Sequence, residues 1–297
     1  MKNILFFKLI VLFLSFNFCY SQNHINLDVD NDLYFDSRDM YYSSGIFLSF
    51  SSLKTSNDKI HFNHFKIGQL IYTPSSRYEI NPNLYDYPYS GYLFLELSKQ
   101  KQISENSSFT FGGNIGITGD ASLAKGMQNL YHDLVLDLPH LAWNSQMPQE
   151  FQINLVANYF KGFKIEDNVN ITTKLYSKTG TYQIMTGVNF GILIGDINWT
   201  GFSDNLINNS KNKLSFYLGT HQEYYFHDYK LEGSLFNEDA PLTMTSNKYR
   251  NTIEVGLKKK FRNLQILTTF NSMSKDTEKQ RTSRHPFLKI SLSYQLN

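Results

Sequence analysis

Apolar and polar residues alternate with period two along most of the chain. In 182–195, Tyr182, Ile184, Thr186, Val188, Phe190, Ile192 and Ile194 alternate with Gln183, Met185, Gly187, Asn189, Gly191, Leu193 and Gly195. The same alternation runs through 109–118 and 214–226, and the chain closes with Leu288, Ile290, Leu292, Tyr294 and Leu296 set against Lys289, Ser291, Ser293 and Gln295. A β-strand sends successive side chains to opposite faces, so such segments read as strands with one apolar face. Twelve segments qualify: 24–31, 41–51, 59–72, 89–99, 106–117, 150–162, 167–176, 179–195, 213–228, 247–260, 263–272 and 286–296. All but the first run 10–17 residues, beyond the ~5–6 of strands in globular sheets and enough for the ~9–11 that a tilted membrane-crossing strand needs. Twelve is also an even number, as bacterial single-chain barrels require. Aromatics at strand ends (Tyr41, Tyr42, Tyr72, Tyr89, Tyr92, Tyr224, Tyr225, Phe226) suit interface girdles. The expected fold is all-β: a transmembrane antiparallel β-barrel of about twelve strands. A soluble two-sheet sandwich with its polar faces in water is the competing architecture.

One stretch breaks the alternation. Over 119–149 the period is lost, and Asp120 or Ser122 is placed to N-cap a helix running to about Asp133. Lys125, Gln128, Asn129 and His132 fall on one face of that helix. A polar helical face between two barrel strands points to a segment packed at the barrel mouth, so the architecture gains a short helical insertion near 120–133.

The N-terminus reads as a secretory signal. Lys2 and Lys8 precede an apolar run from Leu9 to Phe16, small residues follow, and cleavage is expected after Ser21. The run is short of the ~20 residues of a spanning helix. A lipoprotein is disfavoured by the bulky Phe18 before Cys19, the single cysteine. The mature chain, 22–297, then has no cysteine for a disulfide, a thiol nucleophile or a thiolate zinc site. It reads as one domain. The full chain carries 28 Lys and Arg against 26 Asp and Glu, and loss of Lys2 and Lys8 makes the two equal. Nucleic-acid binding rests on an excess of cationic groups, so no nucleic-acid partner is expected. Charged residues make up 18%, below the roughly 25% of soluble domains, which suits a chain with a lipid-facing surface.

Two features could carry chemistry. Asp28, Asp30, Asn31, Asp32, Asp36 and Asp39 cluster around the end of the first strand. They are hard oxygen donors of the kind Ca²⁺ takes, but without EF-hand spacing, and a solvated acidic loop explains them as well. His132 is either an ordinary exposed or capping residue or a general base, since its pKa lies near neutrality. The chain has no HExxH, GxSxG, P-loop or GxGxxG signature.

The order of short motifs resembles the outer-membrane lipid A 3′-O-deacylase family. Asn31-Asp32 ends the first strand, Asp39-Met40-Tyr41-Tyr42-Ser43-Ser44-Gly45 opens the second, and Ile71-Tyr72-Thr73-Pro74 ends the third. Asp86-Tyr87-Pro88-Tyr89-Ser90-Gly91-Tyr92 opens the fourth; Gln128 and His132 follow on the helix, then Trp143, Gln146 and Glu150. The likeness is carried by 25–155 and is topological beyond. Tyr87 stands where the family has Arg, and Ser90 where it has Ala.

That resemblance implies a Ca²⁺-dependent outer-membrane esterase that removes the 3′-linked acyloxyacyl group of lipid A, with its site between the inner barrel wall and a helix. It assigns His132 as the base, with Gln128 beside it, and Ser43 at the family's Thr position. Asn31 and Asp32 go to the calcium site. Asp137 lies beside Leu138, which fills the column of the second acid, and Arg77 is the candidate for the basic loop residue. By strand parity Ser43 faces inward with Tyr41, Gly45 and Phe47, Asp32 faces inward with Asp28 and Asp30, and Asn31 faces the other way. The implied partners are lipid A or lipopolysaccharide and outer-membrane lipids, with the protein a monomer. Two alternatives stay open. A barrel phospholipase would need an inward Ser–His pair on neighbouring strands, and none is evident in the sequence. A non-enzymatic barrel, whether a pore or a degenerate deacylase, would need no site, and a pore would have a charged, unobstructed lumen.

Overall fold

The computed structural model describes residues 23–34, 40–56, 59–76, 78–195, 201–202 and 214–296. The expected signal peptide lies outside them. Twelve strands form: β1 (Asn23–Asn31), β2 (Tyr41–Ser56), β3 (Lys59–Thr73), β4 (Ser90–Ser104), β5 (Ser107–Thr118), β6 (Phe151–Glu166), β7 (Val169–Gly180), β8 (Gln183–Ile194), β9 (Leu214–Asp228), β10 (Tyr249–Phe261), β11 (Leu264–Ser274) and β12 (Arg284–Leu296). Each pairs antiparallel with its sequence neighbours, and β1 pairs with β12 to close the barrel. All twelve expected strands are present. Several run further at the turn end than expected, as β2 does to Ser56. There the apolar alternation fades, yet the backbone ladder to β3 continues to the Ser56–Lys59 pair.

The two faces settle barrel against sandwich. Leu27, Leu48, Leu95, Leu97, Leu155, Leu175 and Phe190 are exposed, while Asn26, Asp28, Ser49, Gln100, Asn154 and Asn189, on the opposite parity, are buried. An apolar belt outside and a polar lumen inside is the arrangement of a membrane barrel. Tight turns such as 105–106, 167–168 and 262–263 gather at one end, the periplasmic end by the rule that outer-membrane barrels keep their short turns there. The longer loops 74–89, 119–150, 229–248 and 275–283 gather at the other.

Most of the strand-end aromatics do not form a girdle. Tyr224 and Phe226 are exposed on the outer face, but Tyr41, Tyr42, Tyr72, Tyr89 and Tyr92 are buried. Tyr41, Tyr42, Tyr72 and Tyr87 pack with Leu231, Met244 and Phe287. Below them Tyr92, Phe94, Tyr182 and Tyr229 make a second layer with Met147, in which Tyr92 and Tyr182 stack at 3.9 Å. Their sequence positions suit either role; inward parity and the loops folded over the mouth select the plug for all but Tyr89, which packs on the outer side with Tyr85, Ala124 and Trp143. A buried ionic network ties the plug to the wall. Arg250 reaches Asp228 at 2.7 Å and Asp276 at 3.1 Å. Lys230 reaches Asp276 at 3.2 Å and also pairs with Asp228. Tyr87 donates its hydroxyl proton to Asp276 at 2.7 Å. The lumen is therefore obstructed at its loop end.

Candidate active site

The helical insertion begins with a 3₁₀ turn, Gly119–Ser122, followed by helix α1, Ala124–Tyr131, which widens into a π turn, His132–Leu136. Neither Asp120 nor Ser122 serves as the N-cap. Leu123 takes that position in a left-handed conformation with no side-chain cap, and Ser122 Oγ bonds back to the Gly119 carbonyl at 2.6 Å. The helix ends close to the expected Asp133.

This segment lies against the outer face of the wall, not inside the mouth. Gly91 shares the outward parity of its partner Ile71, and a Cβ at Gly91 would collide with Ser122 and Ala124. Glycine there lets the helix backbone approach the sheet. Gln69, outward on β3, donates to the Ser122 carbonyl at 2.6 Å. Of the expected polar helical face, Gln128 and His132 are buried, with Ala124 one turn before them, whereas Lys125 is exposed. The spacing of four puts these three on one stripe, turned to the wall. Asn129 is spent on structure, accepting from the Leu141 amide at 3.1 Å.

Ser43 does not face inward. A bulge between Tyr42 and Ser44 shifts the register of β2 against β3, which reverses parity from that point. Gly45 and Phe47 keep the inward face, and Ser43 is delivered to the helix. Gln128 donates its amide to Ser43 Oγ at 3.1 Å, while its own oxygen accepts from Trp143 Nε1 at 2.8 Å. Indole can only donate, so Trp143 fixes which end of the Gln128 amide faces Ser43. His132 is one turn further along the same stripe and fully buried. Its Nδ1 lies 3.2 Å from the Pro139 carbonyl. A carbonyl can only accept, so Nδ1 carries the hydrogen and Nε2 the lone pair.

The residues assigned to the calcium site divide across the wall. Asn31, paired with Ser44 on the outward parity, accepts from the Leu33 amide at 2.8 Å and lines the outer groove. Asp32 turns to the inner rim, where it accepts from the Met40 amide at 2.9 Å and lies 4.0 Å from His285 Nε2. Its own amide bonds to the Ser43 carbonyl at 3.3 Å, so the two backbones join at one end of the β1–β2 pair, with the Asn31, Ser43 and Gln128 side chains in the groove and the Asp32 carboxylate on the inner rim. Asp137 does not join them. It is exposed, in a left-handed conformation, and its amide caps the π turn at the His132 carbonyl. Arg77, Asp36 and Asp39 lie outside the described residues.

Between helix and wall runs a groove of about 230 Å³. Val29, Ile46 and Ile71 form its floor, Met127, Leu130, Tyr131, Leu134 and Val135 its helical side, and Ser43, Asn31 and Gln128 its polar lining. Leu130, Leu134 and Val135 are exposed, so apolar groove and lipid-facing belt are continuous.

The family model of the outer membrane protein LpxR matches residues 5–296. The chain belongs to the LpxR family. Among solved structures, LpxR from Salmonella typhimurium superposes with a TM-score of 0.78 at 18% identity, over 92% of this chain and 100% of that one. The β domain of the Bordetella autotransporter BrkA reaches 0.48 at 8% identity, over 92% and 98%. The KdgM porin reaches 0.42 at 9% identity, over 92% and 99%. Comparison with curated proteins finds no match. Family membership agrees with the resemblance seen in the motifs, and the chain is an outer-membrane barrel.

Two site features of this LpxR-family chain escaped the sequence: the Pro139 carbonyl, which is backbone and leaves no side-chain signal, and the amide orientation set by Trp143. Trp143→Phe keeps the ring packed against Tyr89 but removes the donor. Losing a buried hydrogen bond of this kind costs about 1–1.5 kcal/mol. Turnover should fall roughly tenfold with the barrel intact, measured as lipid A hydrolysis by purified protein; unchanged turnover would show that the Gln128 amide needs no such anchor.

Proposed function

We propose that the chain is an outer-membrane lipid A deacylase, hydrolysing the 3′-linked acyloxyacyl ester with His132 as general base. The observation that carries this reading is the outer groove: it is apolar along its length, open to the lipid-facing belt, and polar where Ser43 and Gln128 meet. An acyl chain can slide in laterally from the outer leaflet, leaving its ester among polar groups. His132 takes a proton from water through Nε2 while Nδ1 stays donated to Pro139. The water oxygen bonds to the ester carbonyl carbon, and the tetrahedral intermediate collapses with loss of the alkoxide, which receives the proton. Gln128 and Ser43 orient the ester. No covalent nucleophile is required.

Asn31 and Ser43 offer oxygen donors on the groove side, and Asp32 would complete a Ca²⁺ site with them only by turning its carboxylate away from the inner rim. Asn31 offers a carboxamide oxygen whose second lone pair remains after the Leu33 bond, and Asp32 and Ser43 offer a carboxylate and a hydroxyl. Among the described residues no three His, Cys, Asp or Glu side chains gather, so Asn31 and Asp32 would hold the ion together with hydroxyl and backbone oxygens. Bound there, it would supply charge to stabilise the developing oxyanion. Chelation should then abolish hydrolysis, added Ca²⁺ should restore it, and Asp32→Ala should raise the Ca²⁺ needed; Asp137→Ala should not. If chelated protein and Asp32→Ala both stay fully active, the calcium assignment is wrong.

The groove itself is tested by Leu130→Glu. A carboxylate there removes about two methylenes' worth of acyl contact, roughly 1.6 kcal/mol, so kcat/KM for lipid A should fall about tenfold or more. If kcat/KM is unaltered, acyl chains do not use this groove.

A further inference from the structure

On the other side of the wall, in the periplasmic half of the lumen, Ser51 of β2 and His64 of β3 face each other as a cross-strand pair. Ser51 Oγ lies 2.8 Å from His64 Nδ1, and His64 Nε2 lies 3.3 Å from Gln100 Oε1. Gln100 Nε2 in turn donates to Ser108 Oγ at 3.2 Å. The direction of this relay is set at its far end. With its NH₂ committed to Ser108, Gln100 presents its oxygen to His64, so Nε2 carries the imidazole hydrogen and Nδ1 accepts from the Ser51 hydroxyl. Nucleophile, base and a third group orienting the base are the parts of a serine acyl-transfer site. The same residues line a cavity of about 300 Å³ that also takes in Lys66, Lys174 and Lys289 along with Asp28 and Glu96, Lys66 lying 3.5 Å from Glu96, at the lower end of the sizes that hold small ligands. On the loop side the next inward positions after Ser49 and Glu96 are Phe47 and Phe94, which pack into the aromatic layer of the plug with Tyr92 and Tyr182.

We propose that this lumenal cavity is a second acyl-hydrolase site, with Ser51 as nucleophile and His64 as base, acting on a short, water-soluble acyl ester that carries an anionic group. Three lysines against two carboxylates leave the cavity one positive charge in excess, which favours the anion, and the plug excludes the outer leaflet, so substrate arrives from the periplasmic end. Ser51 Oγ bonds to the ester carbonyl carbon as its proton passes to His64 Nδ1. The ester C–O bond then breaks, and the departing alkoxide takes that proton. Water deprotonated by His64 cleaves acyl-Ser51 and restores the hydroxyl.

The full-length barrel in detergent is treated with a fluorophosphonate, whose phosphorus bonds to a reactive serine oxygen with loss of fluoride, and the modified peptide is mapped by mass spectrometry. Hydrolysis of mono-4-nitrophenyl succinate is followed in parallel. The expected result is an adduct on Ser51 that disappears in Ser51→Ala and forms at least tenfold more slowly in His64→Gln. Succinate-ester hydrolysis should fall by about 10²–10⁴ in Ser51→Ala, while His132→Ala leaves both readings unchanged. Heat-modifiable migration on gels confirms that each variant is folded. Absence of a Ser51 adduct, equal labelling in His64→Gln, or equal ester hydrolysis in Ser51→Ala overturns the proposal. Because lipid A is not the substrate here, these outcomes are independent of the outer groove's assignment.

Discussion

Replacing His132 by Ala should reduce lipid A hydrolysis by about 10²–10⁴, the usual contribution of a general base. Three observations converge on this residue. It sits on the one segment that interrupts the strand alternation. Its Nδ1 is committed to the Pro139 carbonyl at 3.2 Å, which leaves the basic nitrogen as Nε2. It shares a buried stripe with Gln128, which touches Ser43 at 3.1 Å. Since α1 and the π turn lie outside the hydrogen-bonded wall, the barrel should remain heat-modifiable and resist extraction from outer membranes as before. Parent-level hydrolysis by His132→Ala would remove both the mechanism and its residue assignment. His140, which pairs with Asp133 at 2.8 Å on the exposed side of the same loop, would then be the residue to test.

The second large effect concerns stability. Arg250→Met should destabilise the plugged end of the barrel by about 3–5 kcal/mol, because it leaves the charge of two buried carboxylates, Asp228 and Asp276, to the single ammonium of Lys230. The lost stacking of the guanidinium on Tyr225, 3.9 Å from the ring centre, adds to this. The readout is proteolysis of loops 229–248 and 275–283 in outer membranes, together with the temperature at which the folded gel band is lost. Unchanged protease resistance would mean that the aromatic layers alone hold the plug. The same network gives a pH dependence. Burial pushes the Asp276 carboxyl up, but Arg250 and Lys230 outweigh it and hold it below the usual carboxylate range. At Glu232 burial is likewise overcome, by bonds from His227 and Lys248, and its pKa falls to about 2. Groups depressed on folding contribute fully above their unfolded values, near 4, and lose that contribution as pH falls through the folded ones. The plug should therefore keep its protease resistance at pH 5 and above and loosen as pH drops from about 4 towards 2.

The barrel was legible in the sequence because a lipid-facing wall forces strict alternation over long strands, and nothing in a short chain imitates twelve such segments. The site was less so, for local reasons. Parity counting carried Ser43 inward because a one-residue bulge at Tyr42/Ser44 is invisible in a run of small and aromatic residues. Asn31 needs no bulge: it is outward by the unbroken β1–β2 register, and the candidate site is on the outside. Helical periodicity found Gln128 and His132 but could not tell that Lys125 faces solvent, since polarity alone does not say which face is covered. The tyrosines of 41–92 were equally at home in a girdle or a plug until the folding of loops over the mouth decided it. The Ser51–His64 pair was hidden for a related reason: cross-strand neighbours emerge only once register is fixed.

The most direct measurement is mass spectrometry of lipid A from cells that do and do not express this chain, with Ca²⁺ present and with His132→Ala as control. The account predicts loss of one acyloxyacyl group, from the 3′ position, only where the parent protein is made. Lipid A of identical mass in all three, with the parent protein folded in the outer membrane, would contradict it.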